Sequence, residues 1–242
     1  MSAESIAEYG LLLIGAFVAA IISGSAGFGG ALLLLPLLTR MVGVSSAVPL
    51  LTVAQLVGNL SRVWFGFKHI RWQPVTLFLA PAIPAAALGA YWFAELPKAL
   101  AVRALGVVIL AFVAMKLFGM TFKASRRLLF FGGAFVGLLS GLVGSAGLLG
   151  AAIFLSLNLP PVAYVASEAT TAVVIHLVKW VVYESAIELG PKFWPLAACM
   201  SVAMIAGTWV GKQVIEKLPA EKFRILVACL LAATAIQMIV TG

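Results

Sequence analysis

Aspartate is missing altogether from this 242-residue chain, and Asp, Glu, Lys and Arg together make up only 10% of it. A soluble domain carries about 25% charged residues, so an ordinary water-exposed globule is excluded. Cysteine is almost as scarce. Cys199 and Cys229 both fall in apolar stretches and show neither metal-ligand nor redox spacing, so they read as small core residues. No glycine-rich loop ends in Gly-Lys-Ser or Gly-Lys-Thr, which argues against ATP as an energy source. No long polar stretch leaves room for a separate soluble catalytic or nucleotide-binding domain. Before the first apolar segment stand Glu4 and Glu8 but no Lys or Arg, which argues against a cleaved signal peptide.

What remains is hydrophobic at 63%, with a mean hydropathy of +1.14. Apolar runs repeatedly reach the ~20 residues that span a bilayer. The composition predicts an all-α polytopic membrane protein whose first partner is lipid. Its net charge of +8 sits in short loops between apolar spans and forms no basic face, so it reads as a topology signal and not as a nucleic-acid site.

Two stretches interrupt these spans. Gly24-Ser25-Ala26-Gly27-Phe28-Gly29-Gly30-Ala31 breaks an apolar segment running from about Tyr9 to Thr39. Gly144-Ser145-Ala146-Gly147-Leu148-Leu149-Gly150-Ala151 does the same 120 residues later (24 to 144). Each glycine costs a helix roughly 1 kcal/mol against alanine, so the helix should break at both places. Non-helical backbone survives in lipid only where protein or a water-filled cavity surrounds it. Paired breaks in two halves are the best sequence pointer to a transporter's binding site.

Hydropathy and prolines divide the first half into a broken segment, 9–23 and 28–40, then spans near 46–66, 73–94 and 98–119, with Pro36, Pro49, Pro74 and Pro97 at ends or turns. The second half repeats this as 128–143, 148–159, 163–184, 192–215 and 221–241. Gly15-Ala16-Phe17-Val18 echoes Gly133-Ala134-Phe135-Val136. Gly89 with Leu96-Pro97 echoes Gly211 with Leu218-Pro219. The reading is therefore two repeats, 1–122 and 123–242, in one membrane domain.

Each arm of a broken segment spans only roughly 18–24 Å as a helix, short of a ~30 Å hydrocarbon core. A re-entrant hairpin followed by three crossings makes the halves inverted. It also gathers Lys68, Arg71, Lys116, Lys123, Arg126, Arg127, Lys212, Lys217, Lys222 and Arg224 on the cytoplasmic side, against Arg40, Lys98, Arg103 and Lys192 outside. A single crossing at each break erases that bias, whereas two short full crossings per broken segment preserve it. Both termini then lie outside. Six tryptophans near span ends read as an interfacial belt.

The polar residues fall on the span after each break. Thr52, Gln55, Asn59 and Arg62 share one helical face, as do Glu168, Ala172, His176 and Lys179. At an offset of 117, Asn59 meets His176 and Arg62 meets Lys179. Intramembrane cations mark pathways by default, and inversion places Arg62 and Lys179 as anion vestibules at opposite mouths, unless each simply snorkels to its interface. Glu168 and His176 are the candidates for proton coupling, against plainer roles as a helix-start carboxylate and a packed histidine. The sharper site is the pair of breaks. A half-helix begins at each, and its first amides lack partners and attract anions. Substrate-binding candidates are Gly24, Ser25, Ala26, Gly27, Gly29, Gly30, Gly144, Ser145, Ala146 and Gly147, with Gln55, Asn59 and His176. The plainer reading of these glycines is tight helix packing.

The paired Gly-Ser-Ala-Gly stretches, the Gly29-Gly30-Ala31-Leu32 run ending at Pro36 and the two-half organisation resemble the TauE/SafE sulfite-exporter family, which includes 4-toluene sulfonate uptake permease-like transporters. The second half departs from the fuller motif, with Gly147-Leu148-Leu149-Gly150 where the first has Gly27-Phe28-Gly29-Gly30, and Ser156 in place of Pro36. The resemblance implies a bacterial inner-membrane secondary transporter, commonly an exporter, of sulfite, sulfonates or related small organic anions. It implies substrate roles for Gly24 to Gly30 and Gly144 to Gly150. It calls for no cofactor, no metal and no catalysis, and leaves a homo-oligomer open. The competing readings are an anion channel and an intramembrane hydrolase using Ser25 or Ser145 with His176.

Overall fold

The computed structural model describes residues 3–27, 30–92, 110, 125–143, 147–184 and 193–219, with short pieces between 221 and 236. Among these the fold is helical throughout, without a strand. The predicted span 98–119 and most of 221–241 lie outside the described residues.

Helix α1 covers Ala3–Ala26, so it runs past the arm end expected at 23, through Gly24 and Ser25, and stops before Gly27. Gly27 takes a left-handed φ of +89°, and its N–H donates to the Ser23 carbonyl at 2.8 Å, the single bond that closes an αL C-cap. A Cβ there would stand 2.9 Å from the Tyr164 ring, so glycine is required both by the backbone and by the space.

Helix α2 covers Gly30–Gly66, so the chain stays helical past Pro36, Pro49 and the break expected between 40 and 46. It is not straight. Arg62 donates to the Ser23 carbonyl and to that of Gly27, just before α2 begins. Three residues reach at most about 11 Å and an arginine side chain about 7 Å more, which holds the two points within roughly 25 Å. A straight helix would separate Gly30 from Arg62 by about 48 Å. The chain therefore folds back inside α2. Leu34 and Leu38 from its first arm share one core with Leu50, Leu51 and Ala54 from its second. Pro36, Gly43 and Pro49 are the residues that make such bending cheap.

A 3-10 turn, Phe67–His69, leads to α3, Trp72–Tyr91. Helix α4 covers Arg126–Val143 and α5 covers Gly147–Leu155, only nine residues and about 14 Å long. Everything from Leu148 to Leu155 is buried. A turn with Asn158 at φ +52° leads into α6, Pro161–Glu184, and α7 covers Phe193–Glu216. Pro74, Pro161 and Pro195 all fall in first turns, where the missing N–H costs nothing. Among the described residues four helices are long and apolar enough to cross a membrane: Tyr9–Ala26, Trp72–Tyr91, Pro161–Val182 and Phe193–Glu216. Trp64, Trp72, Trp92, Trp194 and Trp209 are exposed, while Trp180 packs on the core.

Two helix pairs pack backbone to backbone. On α4, Gly133, Gly137 and Gly141 lie against Phe78, Ala82 and the Ala86–Ala90 turn of α3, in the same chain direction. On α7, Gly207 and Gly211 lie against Phe17 and Ile21 of α1, again in parallel. A Cβ at Gly133, Gly137 or Gly207 would overlap a carbonyl of the neighbour. Such small-residue ladders are how helices associate where lipid offers no hydrophobic drive. Helices α2 and α6 run antiparallel, with Gly66 on Val162 and Ala166, and Arg62 beside Glu168. Two cores result, one from α1, α2 and α7 and one mainly from α3, α4, α5 and α6.

The close approach of α3 and α4 predicts that Gly137→Ala lowers the thermal midpoint in detergent, at a cost on the order of 1–3 kcal/mol. Gly10→Ala, with nothing within 4 Å of the added carbon, leaves the midpoint unchanged or slightly raised. Equal midpoints for both variants would overturn the backbone-contact packing.

Candidate functional site at the helix breaks

The first break is held by one side chain. Arg62 is buried at 5% exposure, and its Nη1 donates to the carbonyls of Ser23, at 3.1 Å, and Gly27. Its Nη2 donates to Asn59 Oδ1, one turn back on the same face. The last carbonyls of a helix carry negative dipole character and lack intrahelical donors. A guanidinium with five donors satisfies several of them at once.

The counter-charge comes from α6. Glu168 Oε2 lies 3.6 Å from Arg62 Nη1, with both side chains 3% exposed. That oxygen has no hydrogen-bond partner among the described residues, and neither has Arg62 Nε. The pair is close enough to cancel charge and too long for a strong charge-assisted bond, which prefers about 2.7–2.9 Å.

Glu168 also faces the second break. It lines a cavity with Ser140 of α4, Gly147 and Gly150 of α5, and Thr171 and His176 of α6. The space open to water centres is about 20 Å³, enough for roughly one water and too little for a substrate anion. Gly147 opens α5 here with nothing within 4 Å of an added Cβ, and His176 Nδ1 is buried without a partner. Tyr164 connects the two breaks. Its ring covers Gly27, and its hydroxyl donates to the Ala151 carbonyl of α5 at 3.3 Å.

The remaining sequence candidates fall as follows. Gly24 sits against the Thr208 backbone of α7, and Ala26 is fully buried. Ser25 Oγ donates to the Ile22 carbonyl of its own helix at 3.0 Å. Gly30 is the first residue of α2. Gln55 and Asn59 are buried on the same arm as Arg62, and Gln55 Nε2 lacks a partner. Gly29, Gly144, Ser145 and Ala146 lie outside the described residues. Arg62 and Lys179, the cations expected as vestibules at two opposite mouths, are buried at 5% and 0% exposure. For Arg62 the physical reason is the first break, whose carbonyls recruit the charge inward. Tyr164, Ser140 and Thr208 were not singled out in the sequence. Tyr164 stands four residues before Glu168, so following that helical face one turn back reaches it. Among the described residues no three His, Cys, Asp or Glu side chains gather to hold a metal ion.

The family model described as Sulfite exporter TauE/SafE matches residues 11–238. No curated protein and no solved structure matches the chain.

Removing Arg62 leaves the Glu168 carboxylate buried without its counter-charge and the end of α1 without its donor. Arg62→Met should cost about 3–5 kcal/mol, read as a lower thermal midpoint in detergent. Adding Glu168→Gln to it should recover part of the loss. A midpoint for Arg62→Met equal to wild type would show that the pair and the cap contribute nothing.

Proposed function

This chain belongs to the sulfite exporter TauE/SafE family, a family of membrane transporters, and on that footing we propose that it is a secondary transporter that exports a small anion of the sulfite or organosulfonate class by alternating access. It works in a bacterial inner membrane with both termini outside. Its repeats, 1–122 and 123–242, are inverted, and each opens with a re-entrant hairpin, α1 with the first arm of α2 and α4 with α5.

The observation that carries this reading is the direction of helix packing. Under the repeat, α1 corresponds to α4, the second arm of α2 to α6, and α3 to α7. The corresponding pair α2 and α6 meet antiparallel, as helices related by an axis in the membrane plane must. The exchanged pairs α1–α7 and α4–α3 both meet in parallel, as the same axis requires. The echo of Gly89 with Gly211 has a matching geometry: a Cβ on Gly89 would strike the Leu138 carbonyl, and one on Gly211 would come within 2.6 Å of the Ile21 carbonyl.

The substrate meets amides at the start of α5, where Gly147 faces the cavity, and at the start of α2's first arm. Gln55, Asn59 and His176 supply side-chain polarity, and Glu168 or His176 is the group for proton coupling. The bodies that rock are the two cores, each drawn from both repeats, and the α2–α6 boundary between them carries the site. With the cell interior negative, export is favoured by about 2.3 kcal/mol per charge per 100 mV, so a dedicated coupling ion is not required.

In proteoliposomes preloaded with sulfite, sulfoacetate, sulfate or acetate, wild type should show saturable counterflow of sulfite or sulfoacetate. Gly147→Leu should reduce it at least tenfold, because its side chain fills the cavity that Gly147 lines, while Gly147→Ala, whose added carbon has nothing within 4 Å among the described residues, keeps the folded protein. Gly27→Leu is the poorer probe, since it strains the backbone at φ +89°. Flux that never saturates would make the protein a channel. Saturable counterflow untouched by Gly147→Leu would remove the second break from the site.

A further inference from the structure

A second small cavity borders Arg62 itself. It is lined by Gly24 of α1, Arg62 and Phe65 of α2, Val165 of α6, and Thr208 and Lys212 of α7, and no carboxylate borders it. Two of these residues carry donors that are buried and have no partner among the described residues: Arg62 Nε and Thr208 Oγ1, with Thr208 1% exposed. Lys212 stands at the outer edge with its side chain 31% exposed, paired with Glu216 at 3.4 Å and resting over the Phe65 ring. Donors left unsatisfied inside a protein cost free energy unless something accepts from them. The acceptor that suits a guanidinium N–H, a hydroxyl and an ammonium together is an oxyanion.

We propose that this cavity is the entry site for the transported anion, holding one sulfite or sulfonate group between Arg62 Nε–H and Thr208 Oγ–H, with Lys212 drawing it in from the surface. The proposal rests on the transporter reading above and adds to it a place and a set of ligands distinct from the helix-break amides. The space open to water centres is only about 10 Å³, so the structure holds the site closed. The α6 wall of the cavity, Val162, Val165 and Ala166, moves with its own core away from α2 and α7 to admit the anion. Arg62 lines this cavity and Glu168 the other, and the two are ion-paired at 3.6 Å. An anion bound here competes with Glu168 for the guanidinium, and loosening that pair is the step that opens the way to the second cavity.

The test uses the full chain in phosphatidylcholine vesicles, with sulfite as the probe. Thr208→Val keeps the shape and removes the hydroxyl, and should raise the half-saturation concentration for sulfite counterflow about tenfold. Thr208→Ser restores the donor and should stay within twofold of wild type. Lys212→Gln should raise half-saturation at low salt and converge on wild type at high salt. Glu168→Gln removes the competitor and should lower half-saturation. Thermal stabilisation of the detergent-solubilised protein by added sulfite gives a readout independent of transport, and Thr208→Val should abolish it. If wild type shows saturable counterflow and Thr208→Val leaves half-saturation unchanged, the entry site is wrong and the transporter reading stands. If wild type shows no counterflow but sulfite stabilises it and Thr208→Val abolishes that effect, the anion site stands and the transporter reading falls. With neither counterflow nor stabilisation, both fall.

Discussion

A helix that ends inside a membrane protein leaves carbonyls with no water to accept from, and the first break meets that constraint with a single guanidinium. Arg62 reaches back from α2 to the carbonyls of Ser23 and Gly27. That bond pattern forces α2 to fold back on itself, brings the second arm of α2 beside the end of α1, and makes a counter-charge from α6 necessary. Glu168 supplies it. Without the buried cation the broken end of α1 would cost several kcal/mol in unmade bonds, and Glu168 would stand as an isolated charge. The break, the bend and the contact between α2 and α6 therefore depend on one another.

The second constraint is closeness. Parallel ladders of glycine and alanine bring α4 onto α3 and α7 onto α1 until a single methyl group would overlap a carbonyl. Lipid is as apolar as leucine, so shape and backbone proximity have to supply what hydrophobic burial supplies in water. One packed body joins α1 and α2 to α7, the other joins α3 to α4, α5 and α6, and the boundary between them runs along α2 and α6. Most of the buried polar residues and the cavity beside Arg62 lie along that boundary, while the Glu168 cavity lies among α3, α4, α5 and α6.

Much of the helical layout was legible in the residues because the governing forces are local. Gly27 and Gly147 mark where helices end and begin, Pro74, Pro161 and Pro195 mark first turns, and the four-residue steps of Gln55, Asn59 and Arg62 mark a buried face. The loop expected between 40 and 46 was not what formed, because proline, which gives up one helical hydrogen bond, and glycine bend a helix without ending it. Nor could the sequence say where the charged end of Arg62 goes. Snorkelling to an interface and capping a broken helix are equally open to a long side chain four residues from a span end, and the choice depends on where Ser23 and Gly27 stand in space.

The sequence by itself determined that this is a membrane protein of packed helices, that two of its segments break, and which helical faces carry polarity. Those properties follow from hydropathy, backbone entropy and the 3.6-residue period, all of which act within a turn or two of chain. Only the tertiary structure decided which end of which helix meets Arg62, that Tyr164 spans the two breaks, and that Thr208, a threonine in an apolar helix, stands beside an arginine from a distant part of the chain with no partner for its hydroxyl among the described residues. Such meetings are set by the direction and depth at which whole helices pack, and residue type alone does not encode that direction.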